Sequence, residues 1–262
     1  MLTTRLLEDL DAHSYQEYAA AGNGVVLVPA GATEQHGPHM PLGVDAMLAR
    51  AVCVAVAGDV DAVVAPALCY GYKSQPRSGG GNHRVGTTSL SARALILQTR
   101  DVVLEFFRHG IRRVAVVNGH FENYQFLYEG LDLAVREAET LGLADARAVL
   151  LSYWDFVDDR TLEAVFPDGF LGWDVEHGGV LETSLMLHLH PGKVDMSRAP
   201  EHPPAESAPY DVFPEDPART PGSGCLSAPA GATARKGELL LSTVRTGIAR
   251  AVTTEFGKRD RR

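Results

Sequence analysis

Cysteine is scarce in this chain: three residues in 262, Cys53, Cys69 and Cys225, odd in number, far apart and without a Cys-x-x-Cys pair. That spacing gives no thiolate metal site and no redox dithiol. Cys53 lies in an apolar helical run and Cys69 follows a strand-like run, so both are expected in the core, where free cysteine is commonly found. A cysteine nucleophile has little support. Positive charge is also short, and the formal net charge is -9. A nucleic-acid partner would call for a basic stripe to neutralise phosphates, and an acidic surface does nothing for anionic membranes. No apolar run approaches the ~20 residues needed to span a bilayer. The first eighteen residues are polar and charged where a signal peptide would be apolar, so a cytoplasmic protein is expected. Internal repeats, low-complexity tracts and an interdomain linker are all missing.

What remains is ordinary globular composition, 45% hydrophobic and 22% charged, enough for a full core in one domain spanning 1–262. Strand-like and helix-like stretches alternate. An apolar β-branched run opens at Val25–Val28, a helical pattern covers Ala46–Gly58, and Ala62–Leu68 is strand-like. After an irregular run from Gly71 to Thr88, Ser89–His109 has apolar residues at three- and four-residue intervals, serines at its start and Gly110 beyond its end. Arg113–Val117 is a short buried strand, Tyr124–Leu141 a helix closed by Gly142, Ala146–Ser152 a strand, and about Arg235–Phe256 a last helix. Such alternation predicts right-handed βαβ units, a mostly parallel sheet and helices on both faces. Nine of the fifteen prolines fall in 191–229, which excludes a long regular element there and suggests a loop over the surface or over a neighbouring subunit.

Three of these strands run into chemically loaded loops. The first leads to Glu34, His36 and Asp45, the third to Asn118-Gly119-His120-Phe121-Glu122-Asn123, and the fourth to Tyr153-Trp154-Asp155. In a parallel sheet such loops share one edge, where ligands bind. Glu34/His36 and His120/Glu122 are i, i+2 pairs, whose side chains point the same way on extended backbone. With Asp45 they make five nitrogen and oxygen donors and no sulfur, a set that favours zinc or manganese and suits two ions. The expected reaction class is metal-assisted hydrolysis. A single Glu-x-His is weak by itself; the convergence of both pairs on one edge carries the expectation.

The runs Thr33-Glu34-Gln35-His36-Gly37-Pro38-His39, Pro41-Leu42-Gly43-Val44-Asp45, Asn118 to Asn123 and His177-Gly178-Gly179-Val180-Leu181-Glu182-Thr183-Ser184 resemble the creatininase (creatinine amidohydrolase) family. The resemblance extends over roughly the whole length. It implies a three-layer α/β/α fold, a dinuclear zinc or manganese centre, commonly a homohexamer, and hydrolysis of a small cyclic or open amide. By position it places Glu34, Asp45 and His120 on one ion and His36, Asp45 and Glu122 on the other. The His-aromatic-Glu-Asn form looks like the creatinine-hydrolysing branch, in which the lactam bond opens to give creatine.

The same resemblance puts Ser78, Phe121, Trp154, Trp173, Asp174 and Glu176 around the substrate, the two indoles flanking a planar ring. Tryptophan is more often simply a core aromatic, Ser78 and its glycines also suit a bare turn, and Glu176 an exposed carboxylate; the sequence leaves these open. His177 is the expected acid–base group, because histidine titrates near working pH and can protonate a leaving nitrogen. Glu182 is expected off the metals. Phe121 stands where creatinine hydrolases typically carry tyrosine, so a formamide or small-lactam hydrolase is the sister reading. A non-catalytic metal- or ligand-binding oligomer is the reading of another class.

Overall fold

The computed structural model describes residue 2 and residues 4–257. Four strands, β1 (Val25–Ala30), β2 (Val63–Val64), β3 (Arg113–Asn118) and β4 (Arg147–Ser152), form one parallel sheet in the order β2-β1-β3-β4. The helices are α1 (Ala12–Ala20), α2 (Val44–Val60), α3 (Ala92–Arg108), α4 (Tyr124–Thr140), α5 (Asp159–Val165), α6 (Val180–Leu189) and α7 (Ala234–Phe256). Strand residues alternate between two cores. Leu27, Ala115 and Val117 pack with α2, α6 and α7, whereas Val28, Val114 and Val116 pack with α1, α3 and α4. The strands are therefore apolar on both faces, and the three-layer α/β/α expectation holds.

Differences from the expected elements have local causes. The strand expected over 62–68 pairs only at Val63 and Val64, because the next donor toward it on β1 would be Pro29, which has no N–H to give; a lone bridge from Leu68 to Ala30 resumes it. α1 was not expected. It buries only Tyr18 and Ala19, too few for a periodic signal, and is started by Asp11, whose carboxylate accepts from the His13 and Ser14 amides. α3 begins three residues late, at Ala92, with Ser91 as its N-cap. α2 begins at Val44, which brings Asp45 into its first turn. Cys69 is exposed, contrary to expectation, since the chain leaves the sheet just before it; Cys53 is buried. The proline-rich segment has only short 3-10 turns, but its end is no surface loop: Gly224 to Ser227 is buried in this chain's own interior.

The chain steps from β1 to β2 on one side and to β3 on the other, so β1 and β3 flank the topological switch point. Ala30 is in register with Asn118, and Asn118 with Ser152, so the three loaded loops leave one edge level with one another. The N-terminus of α2 sits directly on two of them. A Cβ on Gly31 would lie 2.3 Å from the Ala46 nitrogen, and one on Gly119 2.7 Å from the Asp45 carbonyl oxygen. Glycine is required there by close backbone approach. Replacing Gly31 with alanine should lower stability by about 1–3 kcal/mol in urea unfolding, as overpacking does. The same change at Gly58, which has open space beside α2, should be neutral or stabilising by up to ~1 kcal/mol.

Candidate metal centre

The loop after β1 carries Glu34 and His36, the first turn of α2 carries Asp45, the loop after β3 carries His120 and Glu122, and α6 with its preceding turn brings His177 and Glu182. Glu34, His36, Asp45 and His120 are all at most 2% exposed. His120 Nδ1 lies 3.4 Å from Glu34 Oε1 and 3.1 Å from Asp45 Oδ2. His36 Nε2 lies 2.9 Å from Asp45 Oδ1 and 3.5 Å from Glu182 Oε1. Two three-donor groups result, Glu34/Asp45/His120 and His36/Asp45/Glu182, with Asp45 common to both; His177 joins Glu34 and His36 in a third.

Each imidazole is held from behind. His36 Nδ1 is 3.2 Å from the Glu34 carbonyl, His120 Nε2 is 3.0 Å from that of Tyr72, and His177 Nε2 is 2.8 Å from that of Gln35. A carbonyl only accepts, so each of these nitrogens carries the hydrogen and the other nitrogen turns its lone pair toward the carboxylates. Several donor atoms at the centre, Glu34 Oε2, His36 Nε2, Asp45 Oδ2 and Glu122 Oε2, are buried and have no hydrogen-bond partner among the described residues. Close approach without hydrogen-bond geometry, from an all nitrogen-and-oxygen set, fits a pair of divalent cations such as zinc or manganese.

The electrostatics agree. Burial pushes the Asp45 carboxyl up, but the His36 and His120 imidazoles beside it outweigh that and hold it below its ordinary value. His36 is opposed by burial and pulled well above its usual range by Asp45 and Glu182. The α2 N-terminus adds a favourable dipole at Asp45.

Glu122, expected on the second ion, is in none of the three-donor groups. Its backbone is in a 3-10 turn, Phe121–Asn123, so the extended i, i+2 geometry from which the pair was read does not apply. Its Oε1 accepts from Ser78 Oγ at 2.6 Å and from the Gln75 amide at 2.9 Å, and its Oε2 lies 3.3 Å from His120 Nε2, so it lines the cleft without joining a three-donor group. Glu182, expected off the metals, stands with His36 and Asp45 instead. The available signal was its place in the first turn of a helix opening on Gly178-Gly179.

One cleft is lined by Glu34, Asp45, His120, Glu122, His177 and Glu182, and also by Ser78, Phe121, Trp154, Trp173 and Glu176. Asp174 is not among its lining residues. Phe121 and Trp154 face each other with centroids 6.2 Å apart and planes 24° from parallel. Trp173 packs edge-on against Phe170 at 4.7 Å. Glu176 is buried rather than exposed: it accepts from the Leu181 amide at the start of α6, and Ser227 Oγ lies 3.5 Å from its other oxygen. Burial, opposed by the Leu181 hydrogen bond and reinforced by Glu182, pushes its carboxyl up to about 8. Two residues to which sequence reasoning assigned no role also stand here: Tyr153, which lines the cleft, and His39, whose Nε2 lies 2.9 Å from Thr183 Oγ1 next to Glu182.

The family model described as creatininase, creatinine amidohydrolase, matches residues 8–252. The chain is 52% identical to the creatinine amidohydrolase of Pseudomonas putida, covering 95% of this chain and 96% of that protein. Among solved structures it superimposes on a manganese creatininase with a TM-score of 0.95 at 51% identity, covering 97% of this chain and 99% of the other. A zinc-zinc mutant creatininase gives 0.96 at 50% identity with the same coverage. The likeness thus runs through both sequence and fold: the chain belongs to the creatininase (creatinine amidohydrolase) family.

Proposed function

We propose that the protein hydrolyses the lactam C–N bond of creatinine to give creatine, with two divalent cations, zinc or manganese, as cofactors. The observation that carries this reading is the pair of three-donor groups sharing Asp45 at the floor of an aromatic cleft. Glu34, Asp45 and His120 would hold one ion, and His36, Asp45 and Glu182 the other. When bound, such ions polarise a carbonyl and lower the pKa of water.

The chain's own groups do the rest. Trp154, Trp173 and Phe121 frame a planar ring and exclude water around it. Ser78 and the Gln75 amide fix Glu122 through one carboxylate oxygen, leaving the other, Oε2, to take a proton from the attacking water. His177 keeps the hydrogen on Nε2 for Gln35 and works through Nδ1, whose lone pair takes up the proton that the water released to Glu122 and delivers it to the ring nitrogen as the C–N bond breaks. Glu176 lines the same cleft and meets the guanidine end of the substrate; Asp174 stands outside the cleft and is left without a contact role. One domain over 1–262, a cytoplasmic location and a homo-oligomer, a hexamer by the family pattern, complete the reading. The exposed Tyr210 and Phe213 on the proline-rich loop support self-association.

Purified protein should form creatine from creatinine, lose that activity with chelator, and regain it with added zinc or manganese. Phe121, which brings no hydroxyl to the cleft, favours a formamide or another small lactam as the second reading, and metal-replete protein inert on creatinine but active on one of these would establish it. Changing His177 to alanine should cut kcat by about 10²–10⁴-fold with metal content intact. Turnover that survives would remove the acid–base role. Elemental analysis decides the ion split: Glu182→Gln should lose one of the two ions, whereas Glu122→Gln should retain both and lose turnover.

A further inference from the structure

We propose that Gln35 is a positioning residue for His177, tying that ring to the loops at Gly79 and Gly224. The inference rests on the acid–base role given to His177 above. Gln35 sits between two donor residues of the centre, yet its side chain turns away from them and is 8% exposed. Its amide nitrogen donates to the Gly224 carbonyl at 2.9 Å and to the Gly79 carbonyl at 3.3 Å. Its amide oxygen accepts from the Gly37 N–H at 3.0 Å. The same amide nitrogen lies 3.2 Å from His177 Nε2, and the main-chain carbonyl of Gln35 takes the hydrogen of that imidazole nitrogen.

The fit around the carboxamide is close. A Cβ on Gly224 would lie 1.8 Å from its oxygen, and one on Gly80 3.0 Å from its nitrogen. Both loops present bare backbone to it. The Gly79 loop carries Ser78, which fixes Glu122, and the Gly224 strand of chain continues to Leu226, whose N–H donates to the His177 carbonyl at 2.9 Å. Gln35 is therefore in contact with the loops behind both proton-handling groups and with the His177 ring itself. Its place beside Gly37, held by the internal bond from the Gly37 N–H, aims its main-chain carbonyl at Nε2.

The test is a double-mutant cycle on the metal-loaded protein. Gln35→Met keeps volume and removes both hydrogen-bonding ends; kcat should fall about 10–100-fold, the cost of misplacing a catalytic group, with KM changed much less. Added to His177→Ala, the same substitution should cost nothing further, because residues acting through one another are not additive. Losses that multiply, or a folded Gln35→Met with kcat near the parent value, overturn the proposal. So does loss of metal, which would mean that Gln35 serves the donor loop instead. If the Met variant does not fold, the near-isosteric Gln35→Glu enters the same cycle. The imidazole nitrogen resonances of His177, identified by their disappearance in His177→Ala, give a readout without substrate. They should move on substitution of Gln35, and unchanged resonances overturn the proposal even if creatinine is not the substrate.

Discussion

The hydrogen bonds from three imidazoles to three main-chain carbonyls set the direction of the whole centre. A neutral imidazole has one donor and one acceptor nitrogen, and donation from the far nitrogen to Glu34, Tyr72 or Gln35 fixes which is which. Turning a ring over would bury an N–H against nothing and aim a lone pair at a carbonyl, at about 1–3 kcal/mol for the unsatisfied group. The three carbonyls belong to the loops after β1 and β2, so sheet register reaches the chemistry through main chain rather than through flexible side chains. Residue 34 serves twice, since its carbonyl orients His36 while its carboxylate approaches His120 and His177.

That arrangement concentrates negative charge in a buried space. Glu34, Asp45, Glu122 and Glu182 converge where desolvation opposes ionisation, and carboxylates so placed persist only with cations or protonated neighbours. The imidazoles can supply the compensation: His36 and His120 are both held well above their ordinary pKa by the facing carboxylates, against the effect of burial. A divalent cation would displace those protons and satisfy the same oxygens, so protons and metal compete for one set of lone pairs. The fold contributes a fixed term as well, because α2 points its N-terminus at the centre and carries Asp45 in its first turn.

The sheet and most helices were legible because parallel strands buried on both faces read as continuous apolar runs and the long amphipathic helices as three- and four-residue spacing. Glu34, His36, Asp45 and His120 were legible for a related reason: each lies within a few residues of a strand end or helix start, where one-dimensional spacing still determines direction. Glu122 and Glu182 were not. A single 3-10 turn rotates residue 122 out of the plane assumed for it, and residue 182, marked locally only by its place in a first helical turn, reaches the centre through the docking of α6. Cys69 misled for the opposite reason, since the apolar run before it looks like a strand interior, yet the ladder with β1 ends early.

The proline-rich segment shows why a stretch without regular structure can still belong to the interior. Buried backbone needs partners, and prolines remove donors, so such a segment has fewer N–H groups to satisfy but keeps all its carbonyls. Side chains from distant loops supply the missing donors. Arg84 gives its guanidinium to the Gly222 and Pro221 carbonyls and to Thr220, and Gln35 gives its amide to Gly224. Between these clasps the chain runs flat against the centre: Cys225 fills the space left by Gly37 and Gly178, and Ser227 reaches Glu176. A side chain at either glycine would collide with the Cys225 sulfur, and both glycines take positive φ as well. The low unfolded-state entropy of proline-rich chain then favours holding the segment in place. The back wall of the metal centre is thus made from the stretch of sequence that least resembles structure.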